Sequence, residues 1–277
     1  FNHKQRFITI KSNDIISKQT ENLNRLKEGI DLLEDEKIFA AFQMANTAMY
    51  IQLITSNDKD FGKDEKEISE ISNKVDYNSL DFFRKYNAEQ RLAEDKITFI
   101  PKYRPFQLAF ILLNIDGVVN NQSQSRKEIV DLIWFPTGGG KTEAYLAVTA
   151  LTIIWRRLNN ESGYDGTAVI MRYTLRLLTA QQFERASRLI SALEFLRQQP
   201  KYEAVLKKEP ITIGLWVGMA STPNKLEVAK KRVDEIENEC GRINGNPKEK
   251  NVFQISACPW CGTKLISKSN STWEYGF

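Results

Sequence analysis

The apolar positions of the chain change period along its length, and the changes divide it into segments. Across residues 21–54, Leu23, Leu26, Ile30 and Leu33, then Ile38, Phe42, Ala45, Met49 and Leu53, recur at three- and four-residue steps, the spacing of one helical face. Residues 55–76 hold Gly62 and two runs of charge with little to bury, and read as an exposed linker or loop. A shorter helical stretch, 80–92, leads to a small apolar patch at 97–100 and to Pro101. An apolar helix is predicted over 106–115, and a polar loop over 120–127. Three short apolar runs then appear, 129–135, 167–171 and 211–217, with helical patterns at 141–157 and 175–198 between them. Runs of this length suit buried strands, and their alternation with helices predicts an α/β fold with right-handed crossovers and a parallel sheet. Past Asn224 the chain is densely charged, then rich in Gly, Asn, Pro and Lys, and it carries Cys258-Pro-Trp-Cys261 near its end. No internal repeat is present. The organisation expected is a helical N-terminal region (1–55), a charged linker (56–77), an α/β domain (78–225) and a charged insertion (226–277).

Composition narrows the classes. With 277 residues and 42% hydrophobic content, the chain can build one large or two small domains and is not globally disordered. Three Cys and no secretory segment argue against a disulfide scaffold and for a reducing, cytoplasmic setting. The longest apolar stretches, 106–115 and 146–155, are about half the ~20 residues needed to span a bilayer, so no membrane partner is expected. A net charge of +4 permits a nucleic-acid partner without establishing one. The first residue is Phe1 rather than Met, and the chain reads as a piece of a longer protein.

The strongest chemical signal is Phe135-Pro-Thr-Gly-Gly-Gly-Lys-Thr142, between an apolar run and a helical pattern. Glycines let backbone N–H groups approach phosphate oxygens, and the following helix aims its positive end at the same anion. Lys141 would reach the β- and γ-phosphates of ATP, and the Thr142 hydroxyl would hold Mg²⁺; these two are the catalytic candidates. The nucleotide cradle comprises Pro136, Thr137, Gly138, Gly139, Gly140, Lys141, Thr142 and Glu143. The general pattern G-x-x-x-x-G-K-[ST] has Gly where this chain has Phe135. Upstream, in Tyr103-Arg-Pro-Phe-Gln107, the Gln107 amide matches the donor and acceptor pattern of adenine, and Phe106 or Tyr103 could stack on the base. The plainer alternative is a helix start with Pro105 in its first turn.

At this point the chain resembles a superfamily 2 helicase, specifically its first RecA-like domain. Arg104-Pro-Phe-Gln107 resembles the adenine-reading Q-type motif, residues 136–142 resemble motif I, and residues 174–181, with one extra residue between Thr174 and Arg176, resemble motif Ia. Residues 45–49, 131–145, 171–183 and 221–224 further resemble the DrmA helicases of the DISARM anti-phage system. The resemblance implies a RecA-like P-loop NTPase fold and an ATP-driven motor on DNA in the bacterial cytoplasm, beside a partner protein of the same defence system.

Motif Ia follows the second predicted strand, so Arg172, Thr174 and Arg176 would stand at the carboxyl end of a sheet and grip DNA phosphates without reading sequence. Thr222 and Asn224 stand similarly after the third. Arg185, Arg188 and Arg197, beyond them, read as a solvated helix face. An acidic motif II is missing. Asp234-Glu235 follows Lys230, Lys231 and Arg232 and reads as a charged helix surface, and Asp35-Glu36 lies inside the helical pattern. With no second RecA-like domain either, this stretch alone is expected to hydrolyse little ATP. Cys258 and Cys261, followed by Gly262, have the spacing of half a zinc knuckle. A structural Zn²⁺ needs four ligands, so Zn²⁺ depends on ligands elsewhere; a redox pair or two unligated thiols are the alternatives. The function expected is an ATP-dependent DNA helicase or translocase. The alternatives are a P-loop enzyme of another class, such as a small-molecule kinase, and a zinc-containing DNA-binding scaffold with a vestigial nucleotide site.

Overall fold

The computed structural model describes residues 2–61, 79–136, 138–173, 176–218, 223, 225–240, 247, 255–269 and 272–275. The linker positions 62–77 and the polar stretch 241–246 therefore lie outside the described residues.

Helices carry the fold. α1 (Asn2–Asp31) and a single 3₁₀ turn (Leu32–Glu34) precede α2 (Glu36–Asn57). The periodic stretch 21–54 is thus the end of one helix and most of another. Asp35 divides them: its backbone is extended, and its carboxylate accepts from the amides of Lys37 and Ile38 at 2.9 Å each, which restarts the helix as an N-cap. The expected helix at 80–92 breaks in the same way. α3 (Leu80–Lys85) stops at Tyr86, and Asn87 caps α4 (Ala88–Ala93) by accepting from Gln90 N. α5 (Pro105–Val119), α6 (Gln124–Glu128), α7 (Lys141–Asn159), α8 (Arg176–Arg197), α9 (Pro200–Leu206) and α10 (Leu226–Cys240) follow. A hairpin closes the series: β1 (Ile266–Ser269) pairs antiparallel with β2 (Thr272–Tyr275), Ile266 opposite Tyr275.

The expected α/β, RecA-like fold with a parallel sheet is corrected by this structure. Residues 129–135, 167–171 and 211–217 are extended, but among the described residues the hairpin β1–β2 is the only multi-residue strand pairing. Val130, Leu132 and Trp134 are 95%, 80% and 89% exposed, whereas a strand inside a parallel sheet is covered on both faces. The reason is physical. An apolar run satisfies a strand criterion by composition alone, while a ladder requires a second backbone about 4.8 Å away to take its N–H and C=O groups. Residues 129–135 meet the first condition and not the second.

The chain divides into two compact units. The first comprises Phe1–Tyr50, Lys102–Ile170 and Lys201–Glu209. In it α5 packs against both α1 and α7, burying Ile111 and Ile115 of α5 and Leu146, Ala150, Leu151 and Ile154 of α7. The approach of α1 to α5 is backbone-close: a Cβ at Gly29 would lie 2.1 Å from the Leu112 carbonyl oxygen, so only glycine fits there.

The second unit comprises Ile51–Pro101, Met171–Pro200 and Pro210–Phe277. Its centre is aromatic: Trp260 stacks on Phe195 at 5.0 Å and meets Phe61 and Phe83 edge-on at 5.6 and 6.0 Å. Beside it the buried Asp58 accepts from Tyr86 Oη at 2.6 Å and from both Arg91 Nε and Nη2, and Arg91 also reaches Asp60 at 3.0 Å. Burial and the bond to Asp58 push the Tyr86 phenol well above its ordinary range.

Candidate functional site

In the first unit, residues 129–136 run extended into a loop of three glycines. Gly138 and Gly140 adopt φ +80 and +85, a left-handed conformation that L side chains occupy at a cost of about 1–2 kcal/mol. Gly139 is required for a different reason: a Cβ there would sit 2.9 Å from the Pro136 carbonyl oxygen, which accepts the Gly139 N–H at 3.1 Å. The loop then enters α7, with Gly140 as N-cap and Lys141 as first helical residue, so the positive end of a 19-residue helix faces the loop.

The upstream element is fastened to this loop. Gln107 is buried, and both ends of its amide are engaged. Oε1 accepts from Arg104 N at 2.7 Å, and Nε2 donates to Gly140 O at 2.7 Å. Since an amide N–H needs an acceptor and a carbonyl needs a donor, these partners fix the amide's orientation. Arg104 Nη1 donates to Gly139 O at 2.9 Å, and Phe106 stacks on Phe135 with ring centroids 4.0 Å apart and 19° between planes. The Lys141 ammonium donates to Phe135 O at 2.6 Å and Pro136 O at 3.0 Å. The Tyr103 hydroxyl is buried without a hydrogen-bond partner among the described residues, and burial pushes its pKa up.

The fold thus brings together Arg104, Phe106, Gln107, Pro136, Gly138, Gly139, Gly140, Lys141, Thr142 and Glu143 in one unit; Thr137 lies outside the described residues. The chemistry available is that of an anion cradle with a movable cation. Lys141 rests on two neutral carbonyls, and ionised phosphate oxygens are the stronger acceptors. Gln107 holds the loop in this state, so its amide edge reads a base only by exchanging Gly140 O for one.

Sequence reasoning missed Arg25. Its guanidinium forms a bidentate pair with Asp131 at 2.7 and 2.7 Å and donates to Leu113 O at 3.1 Å. The hydrogen bond and charge of Asp131 raise the Arg25 pKa. The available signal was Asp131 itself, the one charge in an otherwise apolar run.

The nucleic-acid candidates fall in the second unit. Arg172 is exposed in extended chain, and Arg176 opens α8 with a side chain outside the described part. Thr174, Thr222 and Asn224 lie outside the described residues. On α8, Arg188 pairs with Glu184, and Arg197, only 13% exposed, pairs with Glu194, so Arg197 is not on a solvated face. Asp234 and Glu235 lie on α10, with Glu235 paired to Arg232 at 3.2 Å.

Cys258 and Cys261 bracket a tight turn. Cys258 N donates to Thr263 O at 2.8 Å and Gly262 N to Cys258 O at 2.9 Å, with Gly262 at φ +75. Trp260, between the cysteines, anchors the turn in the aromatic centre. Burial pushes the Cys261 thiol up, but hydrogen bonds with Thr263 and Cys258 outweigh it and leave the pKa below its ordinary value, which favours the thiolate. Among the described residues no three His, Cys, Asp or Glu side chains gather into a metal-binding group.

A glycine loop at a helix start, clasped from upstream by Arg and Gln, is the class of site this chain presents. In an alignment of 253 positions that covers 87% of its length, the chain is 40% identical to the DISARM protein DrmA of Bacillus paralicheniformis, which supports a DrmA-like relationship across that stretch. The chain spans about a fifth of that relative's length (20%). No protein-family model matches the chain. Among the described residues no helix is long and apolar enough to cross a membrane.

Proposed function

We propose that this chain is the nucleotide-gripping part of an ATP-dependent DNA helicase or translocase serving anti-phage defence in the cytoplasm. The observation that carries the reading is the loop at 136–143: three glycines, each in a position other residues fill poorly, feeding a long helix whose first residue is a lysine. Similarity to a DISARM protein supports the defence setting and a partner protein from the same system.

The residues present fit ATP with Mg²⁺. Lys141 would hold the β- and γ-phosphates in place of the Phe135 and Pro136 carbonyls, and the Thr142 hydroxyl would bear on the metal. Mg²⁺ would supply charge neutralisation on the phosphates. Arg104 and Gln107 hold the loop from behind, and Phe106 lends its ring. Asp234-Glu235 belongs to the charged helix α10 and Asp35 caps α2, so the reading assigns the orienting of an attacking water to no residue of this stretch. Arg172 and Arg176, with Thr174, Thr222 and Asn224, are the proposed DNA-backbone contacts, and such binding weakens steeply with salt. Cys258 and Cys261 are proposed as half of a structural Zn²⁺ site.

The test is Lys141→Ala in the full-length protein. DNA-stimulated ATP hydrolysis should vanish while the fold persists. Hydrolysis that survives the substitution would overturn the reading.

A further inference from the structure

Arg25 closes a ring of interactions around the glycine loop. From α1 it grips Asp131, which lies in the extended segment five residues ahead of Pro136, with two parallel bonds of 2.7 Å. From the same guanidinium it grips the Leu113 carbonyl of α5 at 3.1 Å. The N-terminal end of α5 in turn holds the loop, through Arg104 to Gly139 O and Gln107 to Gly140 O. One turn along α1, Gly29 lies against the Leu112 carbonyl, which fixes where α1 crosses α5. The loop is thereby held at both ends, by α5 directly and by its incoming strand-like segment through Arg25. The pair is 10% and 19% exposed at its side chains, and it is the bidentate geometry that lysine cannot supply.

We propose that Arg25 is a positioning residue for the nucleotide loop: its pairing with Asp131 sets the position from which residues 132–136 lead toward the glycines of the cradle. The inference rests on the nucleotide-binding reading and deepens it by extending the site's support to α1. Residues 129–135 have no strand partner among the described residues. Their placement therefore depends on such side-chain ties, where a segment inside a sheet would be held by its ladder.

The experiment uses the intact protein with Arg25→Lys, Asp131→Asn, and the exchanged pair Arg25→Asp with Asp131→Arg. Two quantities are read: hydrogen exchange across residues 129–140 without nucleotide, and affinity for a fluorescent ATP analogue with Mg²⁺. Each single variant should speed exchange at 129–140 and weaken the analogue about tenfold, with the buried amides of α7 unchanged. The exchanged pair should restore both. Single variants with wild-type exchange and affinity would overturn the inference, as would a loss of protection spread evenly through α5 and α7. If exchange responds as expected but the wild-type protein binds no analogue, the nucleotide reading fails and the hold of Arg25 on the loop stands.

Discussion

Gln107→Glu tests the clasp between the upstream element and the loop more sharply than any truncation. The substitution keeps an oxygen to accept the Arg104 N–H and replaces the amide donor to Gly140 O with a second oxygen. Ionised, the new carboxylate faces a carbonyl 2.7 Å away in a buried position, and both effects favour its protonated form. Protonated, it donates to Gly140 O and restores the pattern. The penalty at neutral pH is therefore capped by the free energy of keeping the introduced group protonated. That is about 1.4 kcal/mol for each pH unit above ~4.3, or about 3.7 kcal/mol at pH 7. The sign follows from linkage: the folded pKa lies above the unfolded one, so the folded state binds the extra proton and stability falls as pH rises between the two. Gln107→Leu removes both bonds at any pH and should lose about 2 kcal/mol throughout. Urea unfolding at pH 4.5, 6 and 7.5, always against wild type, is the assay. Gln107→Glu should be close to wild type at pH 4.5 and lose about 2–4 kcal/mol at pH 7.5. A flat profile for Gln107→Glu, whether at the wild-type level or the leucine level, would refute the assigned bonds.

Three further outcomes are expected. Gly138→Ala meets nothing within 4 Å and should lose only the left-handed strain, about 1–2 kcal/mol, whereas Gly140→Ala adds a Cβ 2.7 Å from Gln107 Nε2 and should lose about 2–4 kcal/mol in the same unfolding assay. Glu194 accepts from Arg197 and from Ile211 N at 2.9 Å; burial opposes ionisation, but these bonds prevail and lower its pKa. Its contribution is therefore present above the ordinary glutamate range and lost as pH falls through the lowered value, so Glu194→Gln should flatten the acid limb of a stability–pH curve measured between pH 3 and 6. Trp260→Ala removes the ring that joins the cysteine turn to Phe195, Phe61 and Phe83; it should lose about 2–3 kcal/mol and raise the alkylation rate of Cys258 and Cys261, read by mass spectrometry.

The longer helices with an apolar stripe were legible because that spacing is local, whereas α6, inside the stretch read as a polar loop, and the short α9 were not; the glycine loop was legible because its residue types state their own backbone needs. What interrupted the helices was less legible. Asp35 and Asn87 are polar residues that a periodic pattern absorbs, yet each accepts amide hydrogens that start a new helix. The sheet was over-read, since residues 129–135, 167–171 and 211–217 advertise a strand by composition while pairing is decided by a distant backbone. Gln107 was recognised as important, but its bond to Gly140 O joins positions whose proximity no local period encodes. The same holds for Arg25 with Asp131 and for the three aromatic residues around Trp260.

The most direct measurement is hydrogen exchange of the amides at residues 138–142, with and without a non-hydrolysable ATP analogue and Mg²⁺. If the loop receives the phosphates, those amides become protected when the analogue is present, protection ends within the first turn of α7, and Lys141→Ala abolishes it. Identical exchange at saturating analogue, in a protein whose Lys141 keeps its bonds to Phe135 O and Pro136 O, would contradict the central claim.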